Sequence, residues 1–175
     1  MAIDYLALSE AYRPALIHTL LVGESPPPSG TSYFYLPAVL RKTPCVRDNR
    51  SLPATIFYHY FQQLPESKAE YAAFLLRLKE MGVFLVDLYD APIRVRNSPE
   101  GVQQILEAIS EFRDKLKRRS IEVAEENIVF LLARTSYRAK IRRAFPRSWL
   151  VPWIDFRMSN AKAGPDASVE EYGPG

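Results

Sequence analysis

Residues 17–36 read IHTLLVGESPPPSGTSYFYL, and the break inside this stretch decides the fold. An apolar run from Ile17 to Val22 stops at Gly23, Glu24 and Ser25, and Pro26, Pro27 and Pro28 follow. Bounded in this way, the run predicts a buried strand emptying into a loop. Prolines cannot donate to a sheet ladder and hold φ near one value, so three in succession stiffen the loop just past the strand's carboxyl end. In an open α/β sheet, ligands bind at that edge. The stretch that announces a sheet therefore also nominates a site.

Outward from it, the chain alternates helical and strand patterns. Residues 4–14 predict a short helix ended by Pro14. After the proline loop come Tyr33, Phe34 and Tyr35, then an irregular basic segment to Leu52 with Arg41, Lys42, Arg47 and Arg50. Ser51 and Pro53 mark a helix start for an aromatic helix, and a second helix over 67–81 follows from Ala69, Ala72, Leu75 and Leu76, with Gly82 as its stop. Val83 to Leu88 predicts a second strand, with Asp87 and Asp90 where the chain must leave the sheet. Ser98 and Pro99 open the clearest helix, whose Val102, Ile105, Leu106, Ile109, Phe112 and Leu116 form one stripe. Residues 127–133 predict a third strand, Tyr137, Ile141, Ala144 and Phe145 a short helix, and 149–153 a fourth strand interrupted by Pro152. Strands alternating with helices imply right-handed crossovers and a three-layer α/β/α sandwich around a short, mainly parallel sheet of four strands. One domain is expected over 1–158, with a polar, acidic, Gly/Pro-containing tail over 159–175.

With 175 residues and 47% apolar content, one sizeable core is possible. No apolar run reaches the ~18 residues of a membrane span, and the first residues lack the order of a signal peptide, so the expected address is cytoplasmic. Cys45 is the only cysteine, and there is no His/Cys cluster, G-x-G-x-x-G or Walker lysine, so neither a metal nor an organic cofactor is expected. The net charge is +3, yet 11 of the 23 Lys and Arg residues fall between Arg113 and Arg147 against four acids. From Arg134 to Arg147 there are six basic residues and no acid. Such a run suits a polyanion or is a solvated helix face.

Glu24 and Ser25 permit two chemistries. Gly-Glu-Ser after a first strand is similar to the nucleophile block of GDSL-type esterases, with Ser25 as nucleophile. That chemistry needs a base, which those enzymes take from a DxxH pattern near the C-terminus, whereas here Asp155 is followed three residues later by Met158. Both histidines, His18 and His59, lie in the first third of the chain. The other chemistry is activation of water by a carboxylate beside a bound base. Gly23-Glu24-Ser25-Pro26-Pro27 followed by an aromatic cluster resembles the first motif of the uracil-DNA glycosylase superfamily, and the order of strands and helices resembles it over about residues 15–155.

The resemblance implies a base-excision repair glycosylase that flips a uracil or related deaminated base out of DNA and acts without cofactor as a monomer, nucleoid-associated if the cell is bacterial. It implies that Glu24 orients the attacking water, that Gly23, Ser25 and Pro26 form the base-binding loop, and that Phe34 or Tyr35 stacks on the base. Asp87 matches the strand-end position where many members carry an Asn reading the pyrimidine edge. A carboxylate there accepts a base N–H but donates to a carbonyl only when protonated. The superfamily's second motif carries a histidine that this chain lacks. Arg157, Ser159 or Asn160, or Arg134 and Ser136, are the residues available to stabilise the departing base. Arg134, Ser136, Arg138, Lys140 and Arg142 would hold flanking phosphates. Each assignment has a plain alternative: the aromatics fill core, Glu24 braces the proline turn, Asp87 caps the next turn. The competing functions are a nonenzymatic DNA-binding protein of the same fold and a small-molecule esterase using Ser25.

Overall fold

The computed structural model describes residues 2–43, 45, 49–132 and 134–156. Arg157 and the segment 159–175 lie outside the described residues. Four strands form one sheet in the order β2-β1-β3-β4: β1 (Thr19–Gly23), β2 (Val83–Asp87), β3 (Ile128–Leu131) and β4 (Trp149–Val151). Every pairing is parallel, with Leu21 beside Leu85 and Val129, and Phe130 beside Leu150. β1, β2 and β3 are short apolar runs buried on both faces, the pattern parallel sheets require because crossovers cover both sides, while β4 at the sheet edge is half-buried at Trp149 and Leu150.

Five α-helices accompany them among the described residues: α1 (Tyr5–Ala11), α2 (Leu52–Phe61), α3 (Lys68–Glu80), α4 (Pro99–Arg118) and α5 (Arg138–Ala144). Side chains of Asp4, Ser51, Ser67 and Ser98 accept from backbone N–H groups in the first turns of α1 to α4, satisfying donors that a helix start leaves orphaned. The expected helix over 4–14 stops at Ala11, three residues before Pro14. The first strand begins at Thr19 and takes in Gly23, and the fourth ends at Val151. Pro152 cannot extend the ladder, so Trp153 leaves the sheet and turns into the edge described below.

The strand order explains the layering. The chain passes from β1 leftward to β2 through α2 and α3, then rightward to β3 and β4 through α4 and α5. Right-handed crossovers in opposite directions put the two helix pairs on opposite faces. Phe130 packs with Phe112 of α4 and Phe145, while on the other face Phe57 of α2 meets Tyr71 and Phe74 of α3 at 4.8 and 5.4 Å. The direction reverses between β1 and β3, which makes their carboxyl ends the crevice of the sheet.

Candidate functional site

At that crevice lies a cavity of about 450 Å³, within the range of small-molecule sites. Gly23, Glu24, Ser25 and Pro26 form one side, Phe34 and Tyr71 another, Asp87 and Arg96 close the β2 end, and Trp153 comes from beyond β4. Residues 38–41, Asn49 and 51–53 form a further wall, fastened by buried Asn49, whose side chain donates to Arg41 O at 3.0 Å and accepts from Ser51 N at 3.1 Å. Of the sequence-nominated residues, Gly23, Glu24, Ser25, Pro26, Phe34 and Asp87 share this cavity.

Gly23 and Asp87 are register partners at the last rung of β1 and β2. A Cβ at Gly23 would stand 2.6 Å from Asp87 Oδ1, so the carboxyl lies directly on the glycine. Only a residue without a side chain permits that approach. Glu24 and Ser25 are buried, and Glu24 O accepts from Tyr89 N at 3.0 Å, fixing the turn through its backbone. Ser25 is 6% exposed and its Oγ has no hydrogen-bond partner among the described residues, although it borders the cavity. A buried hydroxyl left in this condition is a polar group awaiting a ligand or water. His59 Nδ1 lies 2.7 Å from Phe156 O and its ring stacks on Phe156 at 4.0 Å; neither histidine borders the cavity. Ser25 thus has no imidazole beside it to act as base.

The aromatic triplet divides. Tyr33 and Phe34 border the cavity; Phe34 rests on Phe57 at 5.7 Å, and Tyr71, which borders the cavity too, donates its OH to Phe34 O at 2.8 Å. Tyr35 does not border it. Its OH donates to Leu85 O at 2.9 Å and accepts from Leu85 N at 2.7 Å, so the side chain occupies the position of a fifth strand on the open side of β2. An uncovered strand edge exposes unpaired backbone groups, and Tyr35 satisfies a pair of them. Its phenol is buried, which pushes its pKa up.

Asp87 is the electrostatic anomaly. Burial pushes its pKa from 3.8 to about 7, against the opposing pull of Lys115, Arg96 and Arg119, with Asp90 adding to the rise. Buried Lys115 donates to Asp87 O at 2.6 Å, to Leu88 O at 3.2 Å and to the Asp90 carboxylate, stapling the turn after β2. The ammonium is spent on that turn and its carbonyls, and burial lowers its own pKa. Behind Asp87 a space of about 10 Å³, close to that of one water, is bordered by Ser9, Tyr33, Asp90 and Arg119, whose Nε has no partner among the described residues.

The sign of the consequence is fixed by linkage. The unfolded chain releases the Asp87 proton near 3.8 and the folded chain near 7. Between these values the fold holds a proton that the unfolded state has lost, so the stabilisation present below about 4 is lost as pH rises towards 7, by up to about 1.4 kcal/mol per pH unit. Asp87→Asn is expected to flatten this dependence and to melt higher than the wild type at pH values above that window. Thermal melts across pH check it, and parallel curves for the two proteins would refute the assignment.

The basic run of the sequence separates into two populations. Arg113, Lys115, Lys117, Arg119 and Arg147 pair with Glu125, Asp90, Asp114, Glu10 and Glu126. Arg118, Arg134, Arg138, Lys140, Arg142 and Arg143 make no salt bridge among the described residues. Arg134, Ser136, Arg138, Lys140 and Arg142 do not border the cavity; they follow β3 from the same edge onto α5. Arg134 is nevertheless near enough that it and Arg96 oppose the upward push of burial and of Glu24 on the Tyr137 phenol.

Arg96, Arg41, Asn49 and Trp153 were not nominated by the sequence. The edge rule applied to the loop after β2, IRVRNS, reaches Arg96; the others come from segments whose folding over the edge has no local signature. Exposed Arg41 and Arg96 face a cavity that also holds two carboxyl groups. That arrangement suits a ligand with an N–H-bearing part inside and an anionic part at the mouth. Among the described residues no group of three or more His, Cys, Asp or Glu could hold a metal ion, and no helix is long and apolar enough to cross a membrane. Comparison with known proteins finds no matching family model, curated protein or solved structure.

Proposed function

We propose that the protein binds DNA over the carboxyl edge of its sheet and hydrolyses the N-glycosidic bond of uracil or a related deaminated base drawn into the cavity. The observation that carries this reading is the meeting of Glu24, Ser25, Asp87 and Phe34 in one cavity with cationic residues at its mouth. It rests also on the resemblance of the Gly-Glu-Ser-Pro-Pro loop to the first motif of the uracil-DNA glycosylase superfamily.

In this reading the flipped base lies on the face of Phe34, and Asp87 meets its polar edge. As a carboxylate Asp87 accepts an N–H; protonated, it offers a donor and an acceptor side by side, as an amide does. A pKa of about 7 makes both states accessible near neutral pH. Glu24 holds the attacking water. The water oxygen bonds to the sugar C1′ as the C1′–N bond breaks, the bonding pair stays on the base nitrogen, and the water's proton passes to Glu24. Arg96, close to the Ser25 carbonyl at 3.1 Å, supplies positive charge for the departing base, a role that Arg134, Ser136 or Arg157 would share.

Single-turnover assays on oligonucleotides carrying uracil, hypoxanthine, xanthine or an abasic site are expected to show base release from at least one. Release from none, with salt-sensitive binding retained, would leave a nonenzymatic DNA-binding protein. Absence of both would overturn the DNA reading.

The cations of α5 give a separate expectation. Reversing Arg138, Lys140 and Arg142 together should weaken DNA binding for every sequence and reduce the slope of log affinity against log salt by about one for each phosphate that is no longer neutralised. Filter binding across salt concentrations measures it, and an unchanged slope would remove α5 from the interface.

A further inference from the structure

The cavity at the carboxyl edge is larger than a lone base requires. Its volume of about 450 Å³ falls among sites that enclose whole drug-sized ligands. The cations on its lining are Arg41 and Arg96, which come from separate segments, are both exposed, and make no salt bridge among the described residues. Arg96 is held on the wall by its guanidinium, which donates to Ser25 O at 3.1 Å. Arg41 is held through its backbone, its carbonyl accepting from Asn49 Nδ2 at 3.0 Å, so its guanidinium takes no part in that anchor. The cations of α5 do not border the cavity, and a ligand lying wholly inside it meets Arg41 and Arg96 alone.

The same cavity holds the Glu24 and Asp87 carboxyl groups, the apolar Phe34, and the Ser25 hydroxyl, which is buried and has no partner among the described residues. A nucleoside 5′-monophosphate divides in the same way, into a flat base bearing N–H groups, sugar hydroxyls, and a terminal phosphate. At neutral pH a phosphate monoester carries about −1.5 to −2 charge on its acceptor oxygens, whereas each phosphodiester of a strand carries a single charge. Two guanidinium groups on one cavity therefore match the monoester more closely than an internal phosphate of DNA.

We propose that the cavity also accepts free nucleoside 5′-monophosphates, with the terminal phosphate on Arg41 and Arg96, and hydrolyses them to the base and the sugar 5-phosphate. The inference rests on the reading of Glu24 and Phe34 given above, and not on contacts to flanking DNA. The base lies on Phe34 and Ser25 Oγ meets a sugar hydroxyl. The water oxygen bonds to C1′ as the C1′–N bond breaks, and the bonding pair stays on the base nitrogen. One hydrogen of the water remains on the new sugar hydroxyl; the other leaves through Glu24 to solvent, from which the base nitrogen takes up a proton. No further reactant is needed.

The test measures release of free base, by chromatography, from the 5′-monophosphates of uridine, deoxyuridine, inosine and deoxyinosine, from the four nucleosides themselves, and from oligonucleotides carrying the same bases. For the monophosphates kcat/KM is expected to exceed that for the nucleosides by roughly a hundredfold, about tenfold for each arginine. Arg41→Gln should cut this preference by about tenfold, through KM, and Arg41→Lys should keep part of it, as a cation without the forked geometry. Lys42→Gln, at an exposed neighbour that does not border the cavity, should leave the preference at the wild-type value. Equal kcat/KM for monophosphates and nucleosides, or a wild-type preference in Arg41→Gln, overturns the inference. Release from oligonucleotides but not from monophosphates overturns it and leaves the DNA reading standing. Release from monophosphates alone supports it and removes DNA as the substrate, and release from none of the three overturns both hydrolytic readings.

Discussion

Glu24→Gln is expected to lower single-turnover base release by roughly 10²–10⁴-fold, the usual contribution of a positioned general base. Gln keeps the size of the side chain but removes its negative charge, and with it the ability to take a proton from water. The turn is also held through its backbone, by Tyr89 N donating to Glu24 O at 3.0 Å and Arg96 donating to Ser25 O at 3.1 Å. The variant should therefore fold as the wild type does and bind DNA with an affinity of the same order. Ser25→Ala should reduce the rate far less, because Ser25 Oγ has no base in contact with it. The opposite ranking, with Ser25→Ala the more damaging and ester hydrolysis lost with it, would make Ser25 the nucleophile and discard the glycosylase reading.

Phe57→Ala is expected to lower unfolding free energy by roughly 3–5 kcal/mol, as deletion of a fully enclosed aromatic ring does. Phe57 is 0% exposed and meets Phe34, Phe61, Tyr71 and Phe74 at ring-centroid distances of 5.7, 6.5, 4.8 and 5.4 Å. It is the centre of the aromatic layer between α2, α3 and the segment after β1. Because Phe34 rests on it, the void would open behind the cavity wall, so ligand affinity should fall along with stability. Phe57→Leu, which refills most of the volume, should lose clearly less. Urea titrations of the three proteins measure the difference, and a loss below about 1 kcal/mol for Phe57→Ala would mean that the neighbours collapse into the space.

The residues behind these two expectations are unequally visible in the sequence. Glu24 stands out because an apolar run ends beside it and prolines follow. Phe57 looks like one aromatic among several in a helix, and nothing local ranks it first. The same contrast runs through the site. Asp87 is legible as a strand-end acid before Pro92. Lys115 sits in a charged helix segment, KLKRR, and reads as solvated, yet it is buried with its ammonium on the turn beside Asp87. Tyr33, Phe34 and Tyr35 are three similar letters, of which Tyr33 and Phe34 border the cavity and Tyr35 closes the edge of β2.

What the sequence determined by itself is therefore local: four apolar strands bounded by breakers, serine-capped helices, their alternation, and hence a parallel α/β sheet with its carboxyl edge at Gly23-Glu24-Ser25. These follow because period, capping and proline geometry act within a few residues of the chain. The tertiary structure alone decided the order β2-β1-β3-β4, the division of the aromatic triplet, the burial of Lys115 and the arrival of Arg41, Arg96 and Trp153 at the cavity. Those depend on which distant segment lies against which face. That choice is made by the packing of the whole core, and no short stretch of the chain contains it.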